Sequence, residues 1–238
     1  IASLESAHQL APEHVPTLLQ LAELQLGAGR HNPARDAALK AIDGVIDSPR
    51  TAIDLMRMLN RLTESGLMIE IARQLPPPMW DSARSLTEIA QELTLVGAHD
   101  LARDYARAAV ERDGLHPPSL VMHATLDIYY GELESAAAHA ERCLAILPDD
   151  PGSHWLLSRL RLPQAEMRVA RIESALSRCA DPDTESWLSY ALHNELHDLR
   201  EYDRAWQALE RGCRAKRSTL AYRQSDSDAL FDQLCAWR

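Results

Sequence analysis

The residues best spaced for chemistry are His193 and His197, in the run His193-Asn-Glu-Leu-His197. On a helix, positions i and i+4 share a face, so both imidazoles could reach one metal ion. The zinc-hydrolase pattern, however, needs a glutamate directly after the first histidine. Asn194 stands there, and Glu195 comes one place late, on a different face. No third ligand accompanies the pair, so an interface role is expected for both. His123 and His139 have no partner at metal spacing along the chain and are expected at the surface or in packing. Cys143, Cys179, Cys213 and Cys235 include no Cys-x-x-Cys pair. The first three fall near one place in successive helices, which suits small core residues in a reducing cytoplasm. No Gly-x4-Gly-Lys-Ser/Thr loop is present to cradle a phosphate. No catalytic residue, metal or cofactor is therefore expected.

The formal charge is −10, with 25 Lys and Arg against 35 Asp and Glu. Phosphate recognition draws on clustered cations, so a nucleic-acid partner is not expected. The densest positive group is Arg211, Arg214, Lys216, Arg217 and Arg223. It lies near a helix C-terminus, where the dipole favours cations. The alternative is that Arg214, Lys216 and Arg217 face an adjoining domain or its anionic cosubstrate. No apolar run approaches the roughly 18 residues that span a bilayer. The chain opens on Ile1 rather than Met, so it is read as a fragment, and the lack of a leader says nothing of compartment.

What positions these residues is a repeat. Gly131, Ala136, Ala140 and Cys143 stand 34 residues after Gly97, Ala102, Ala106 and Ala109, and Gly29, Ala34, Ala38 and Ala41 keep the same frame. Pro12, Pro148 and Pro182 fall in that frame too. A 34-residue period with small residues at helical spacing resembles the tetratricopeptide repeat. The implied fold is all-α, a right-handed α-solenoid of helix-turn-helix units. Residues 1–14 are read as a partial repeat, with Leu4 and Ala7 as packing positions. Residues 15–219 are read as about six units, and 220–238 as a capping or linker helix. The second unit is irregular: Gly66 comes three residues late, Pro76-Pro77-Pro78 halts a short second helix, and Trp80 is expected to plug the gap between units.

In such an array the first helices line the inner face. Residues beside the core stripe then become groove candidates: Met56, Arg57, Asn60, Thr87, Gln91, Val121, Thr125, Ile128, Tyr129, Trp155, Arg159, Leu162, Tyr190 and Asn194. The lining turns apolar and aromatic toward the later units, which suits an extended peptide or an amphipathic helix. The alternative is that Trp155 and Tyr190 only pack against neighbouring units.

Tyr190-Ala-Leu-His-Asn-Glu-Leu-His-Asp-Leu-Arg-Glu-Tyr202-Asp-Arg-Ala-Trp206, with Leu209, Gly212, Lys216-Arg217, Leu220, Tyr222, Asp228 and Leu230-Phe231, is more specific. It resembles the segment joining the repeats to the catalytic domain in bacterial tetratricopeptide-repeat sulfotransferases. The likeness covers about the last fifty residues. It implies that a phosphosulfate-binding domain follows in the parent, beyond Arg238, and that this chain is a non-catalytic scaffold for a protein or peptide partner. A free-standing adaptor, a self-assembly module and a histidine-based metal site are the other readings.

Overall fold

The computed structural model describes Leu4, residues 10–75 and residues 82–237. The expectations for Ala7, Pro76-Pro77-Pro78 and Trp80 lie outside the described residues. Among those described, every regular element is a helix. The chain forms two compact units, residues 1–146 and 147–238.

The first unit holds α1 (Val15–Gly27), α2 (His31–Ile42), α3 (Pro49–Arg61), α4 (Ser65–Gln74), α5 (Ala83–Leu95), α6 (His99–Arg112), α7 (Pro117–Tyr129) and α8 (Leu133–Ile146). These pair as hairpins α1/α2, α3/α4, α5/α6 and α7/α8, and each first helix also packs on the next first helix. The second unit holds α9 (Pro151–Arg159), α10 (Ala165–Arg178), α11 (Pro182–Asp198), α12 (Tyr202–Ser218) and α13 (Gln224–Ala236). Stacked hairpins of this kind are the local architecture of an α-solenoid.

The helices begin where the sequence supplies caps. Ser48, Ser82, Asp150 and Asp181 each accept a hydrogen bond from the backbone N–H three residues on, at 3.2, 3.1, 2.7 and 2.8 Å. Pro49, Pro117, Pro151 and Pro182 occupy first-turn positions, where a missing N–H costs nothing. Pro182 thus opens α11.

Five of the six first helices end on a shared device. Gly29, Thr63, Gly97, Gly131 and Arg200 all have positive φ, between 61 and 77°. After each one the next N–H bonds back to a carbonyl five residues earlier, as Glu132 does to Asp127 at 2.9 Å. These Schellman bonds satisfy carbonyls that the helix end would orphan. The second turn is therefore in frame. Thr63 fills the left-handed position at φ 61°, and Gly66 lies inside α4. What is irregular is α4 itself, 10 residues long where α6 and α8 have 14.

The alanine positions are the close-packed seam. Ala34, Ala38, Ala41, Ala102, Ala106, Ala109 and Ala140 are 0 % exposed. Their missing bulk lets paired helices approach, and leucines such as Leu55, Leu59 and Leu93 fill between them. Cys143 belongs to this seam, but Cys179 is half-buried and Cys213 is exposed, contrary to expectation. One residue is inserted into the last hairpin, so Gly212 takes the buried position and Cys213 turns outward. The α13 helix contributes no buried residue.

Candidate peptide-binding cleft

The first-helix face of the first unit is mostly closed by its own polar groups. Arg57 reaches from α3 to Glu88 and Glu92 of α5 at 2.9 and 3.1 Å, and Asn60 donates to Glu92 at 3.2 Å. Glu88 is held below the usual carboxylate range by Arg84 and Arg57 against the opposing effect of burial. Thr87 is buried and shares a hydrogen bond with Ser119 of α7, at 2.7 Å. Gln91 is exposed, while Val121, Thr125 and Ile128 are half-buried, with the Thr125 hydroxyl donating to the Val121 carbonyl at 2.8 Å. A cleft of about 360 Å³ between α1 and α3 is lined by Leu19, Gln20, Asp54, Arg57 and Met58.

Of the remaining groove candidates, one needs correction. Met56 is fully buried, because α3 packs against helices on several sides and its apolar arc widens from Thr51 to Leu59. It offers nothing to a ligand. Tyr129 stacks on His99 of the preceding second helix with centroids 4.6 Å apart and stays exposed. Tyr190 lies against Gly212 of α12, where a Cβ would meet its ring at 2.8 Å.

The second unit is different. Between α9 and α11 lies an open cleft of about 630 Å³, lined by Trp155, Arg159, Arg161, His193, Asn194 and His197. Trp155, Arg159 and Asn194, taken from the sequence as separate candidates, are brought together here. The Arg159 guanidinium sits 4.5 Å from the Trp155 ring centroid, and the Trp187 ring stands perpendicular to that ring with centroids 5.1 Å apart. Asn194 donates to the Ser158 hydroxyl at 3.0 Å, and Ser158 donates to the Trp155 carbonyl at 2.8 Å. The backbone at Trp155 is thus tied across to α11, while its ring is flanked by the Arg159 guanidinium and Trp187. Two arginines and two histidines face one carboxylate, Asp198. In a chain of net charge −10, this is a local reversal of sign.

The wall of the cleft is set by a buried ion pair. Arg168 of α10 is 5 % exposed and Glu195 of α11 2 %. They bond at 2.6 and 3.0 Å in a two-pronged arrangement, and the same guanidinium donates to the Leu162 and Pro163 carbonyls at 2.6 Å each. Arg168 thereby fastens the turn in which Arg161 and Gln164 both take positive φ. Leu162, a groove candidate from sequence, is half-buried in this turn. Glu195 is thus occupied by Arg168 and does not stand beside the histidines as a base. His193 Nδ1 lies 3.0 Å from the Ala205 carbonyl, and the His193 and His197 rings are 5.9 Å apart. His154, beneath the cleft, is 1 % exposed with Nε2 donating to the Pro148 carbonyl at 2.9 Å. Burial pushes its pKa down.

A second cluster, in the first unit, went unseen in the sequence. His123 and Asp127 of α7 meet His139 of α8, with one potential ligand atom from each lying within 4.8 Å of the others. The signal available was the i, i+4 spacing of His123 and Asp127. Burial, then the neighbouring His123, lowers the His139 pKa.

No protein-family model matches the chain, and no curated protein matches it in sequence. Among solved structures, a tetratricopeptide repeat protein from Parabacteroides merdae ATCC 43184 is similar over 97% of this chain and 89% of that one, with a TM-score of 0.61 at 14% identity. The fold is the tetratricopeptide-repeat fold. PilF of Pseudomonas aeruginosa is similar over 82% of this chain and 88% of its own, with a TM-score of 0.54 at 15% identity. A thermophilic tetratricopeptide protein of Thermus thermophilus is similar over 75% and 98%, with a TM-score of 0.51 at 18% identity.

In the tetratricopeptide frame, the basic group other than Arg223 belongs to the last second helix, α12, and is tied within the chain. Lys216 pairs with Asp183 at 2.8 Å, Arg211 with Glu185 at 2.6 Å and Arg214 with Glu210 at 3.0 Å. Arg217 donates to the Tyr222 carbonyl at 3.0 Å and covers the Tyr222 ring. Among the described residues no helix is long and apolar enough to cross a membrane.

Proposed function

We infer that this chain is a non-catalytic tetratricopeptide module that binds a polypeptide in the cleft between α9 and α11. The observation that carries the reading is the Trp155 ring, flanked by Arg159 and Trp187 in a cleft whose two helices are joined by the Asn194–Ser158 hydrogen bond. Aromatic and arginine side chains held in one geometry lose little entropy on binding and are the usual energetic anchors of interfaces. Arg159, Arg161 and the two histidines favour a ligand segment carrying carboxylates. Selection of peptides from a random display library tests this. Enrichment of Asp and Glu beside an aromatic or apolar residue is the expected outcome, with Trp155→Ala weakening the selected peptide at least about tenfold, as anchor residues do. Selected peptides indifferent to Trp155→Ala and Arg159→Ala would move the binding surface elsewhere.

The finer reading is that the module precedes a sulfotransferase-like domain and positions that domain's polypeptide substrate. Its support is the resemblance of the last fifty residues, from Tyr190 onward, to the joint of that family. Arg214, Lys216 and Arg217 would then exchange their in-chain partners for the adjoining domain. Reading the source gene past Arg238 decides it: a strand followed by a Pro-Arg-Ser-Gly-Thr-Thr loop agrees, and a stop codon removes the enzyme while leaving a free-standing adaptor. Self-assembly is favoured by one observation, the exposed Leu230, Phe231, Leu234 and Trp237 of the last segment. Light scattering that gives a monomer at high concentration sets that reading aside.

A further inference from the structure

The α7/α8 hairpin departs from its siblings at three touching positions. Counted from the left-handed residue that closes each first helix, His123 stands eight places before Gly131, Asp127 four before, and His139 eight after. The same three places hold Leu21, Gln25 and Ala37 around Gly29, Leu55, Leu59 and Ile71 around Thr63, and Ile89, Leu93 and Tyr105 around Gly97. Around Arg200 they hold Leu192, Leu196 and Ala208. All of these residues are buried, and all but Gln25 are hydrophobic in type. Of these five hairpins, α7/α8 alone has exchanged a core triplet for two imidazoles and a carboxylate. Burying an ionisable group is unfavourable unless it is compensated, so a joint exchange at three touching core positions points to a use other than packing.

The geometry of the triplet indicates that use. Asp127 is 0 % exposed, and its Oδ2 lies 3.1 Å from His123 Nδ1 and 3.3 Å from His139 Nδ1. Ligand atoms about 2.0–2.1 Å from a tetrahedral zinc ion stand about 3.3 Å from one another, so these separations are already those of two edges of such a site. The two imidazole rings face each other with centroids 4.3 Å apart. Asp127 Oδ1 is buried without a hydrogen-bond partner, while Oδ2 also accepts from the Ser135 hydroxyl at 2.7 Å. Arg103 lies 3.8 Å from Oδ1, but its charge is matched by Glu132. His139 Nδ1 lies 3.0 Å from the Ser135 carbonyl, a bond that ligation would exchange for the metal. The side chains of His123 and His139 keep 12% and 15% exposure, which leaves a path for an ion and a fourth ligand from solvent.

We propose that His123, Asp127 and His139 form a binding site for a divalent transition-metal ion of the borderline class, with zinc as the ion to test. Two neutral imidazoles and one carboxylate form a donor set that such ions accept and that Mg²⁺ and Ca²⁺, which prefer all-oxygen shells, do not. Each ring would ligate through Nδ1 and carry its proton on Nε2. Bound across α7 and α8, the ion would clamp the hairpin.

Equilibrium dialysis of the whole chain against Zn²⁺, followed by metal analysis, tests the site. One zinc per chain is expected in the wild type and in the control His193→Ala/His197→Ala, with no uptake of Mg²⁺. The variant His123→Leu/Asp127→Leu/His139→Ala carries residues used by the sibling hairpins and is expected to fold. It should bind zinc at least about a hundredfold more weakly, removing ligands that supply most of the site's affinity. Cobalt(II) added to the wild type reports independently of any variant, and strong visible absorption of a tetrahedral N/O site is expected. Failure of the wild type to retain zinc, retention unchanged in the triple variant, or loss in the His193→Ala/His197→Ala control instead would overturn the proposal.

Discussion

Three single residues bear measurable consequences. Arg168 is the sole charge partner of buried Glu195 among the described residues and also holds the carbonyls of the turn before it. Its replacement by Met leaves a carboxylate buried and unpaired, which costs about 3–5 kcal/mol in chemical denaturation. Thr63 is the opposite case: a β-branched residue at φ 61° where three siblings use glycine. Thr63→Gly is expected to raise unfolding stability by about 1 kcal/mol, since the left-handed strain removed exceeds glycine's extra chain entropy. His154 sets a pH dependence. Burial lowers its folded pKa below the ordinary 6.5, so above pH 6.5 it is neutral in both states and its stabilising contribution is complete. As pH falls below 6.5 the unfolded chain takes up the proton first and stability is lost down to the folded pKa. Melting curves between pH 7.5 and 5.5 should therefore fall more steeply for the wild type than for His154→Gln.

At the scale of elements, what was legible was what the repeat imposes. Alanines at i, i+4 and i+7 mark the seam of α2 and α6, and of α8 with Cys143 at the third place, because two backbones can approach there only over a small side chain. Cys143 was legible for the same reason. The Thr63 turn was not, because its left-handed conformation comes from the Schellman bonds around it rather than from its residue type, and the nearby Gly66 drew the reading away. Met56 was misplaced because a single stripe describes a helix packed on one side, whereas α3 is buried on several. Asp127 and His139 lie on different helices, so their meeting depends on the hairpin register. Gly212 shows how the inserted residue was absorbed: Tyr190 fills the space left by the missing side chain, with ring atoms 2.8 and 2.9 Å from where a Cβ would stand. Gly212→Val is expected to cost about 1–3 kcal/mol through overpacking, read as a lower denaturant midpoint at unchanged slope.

For the molecule as a whole, the fold and the job separate. The core repeats hairpin by hairpin, and this regularity is what the solved tetratricopeptide structures share with the chain at 14 to 18% identity. The functions proposed for the chain rest where hairpins differ: in the Trp155 cleft of one unit and the His123–Asp127–His139 triplet of the other. The first-helix face of the first unit ties Arg57 and Asn60 to Glu88 and Glu92, so a ligand there would have to displace existing bonds. The second unit presents anchors already oriented and open to solvent. The most direct test of this difference is hydrogen–deuterium exchange of the whole chain with and without a display-selected acidic peptide. Added protection over residues 151–161 and 187–198, with residues 16–23 and 49–61 unchanged, is the expected result. Protection confined to α1 and α3, with α9 and α11 unaltered, would contradict the assignment of the binding cleft.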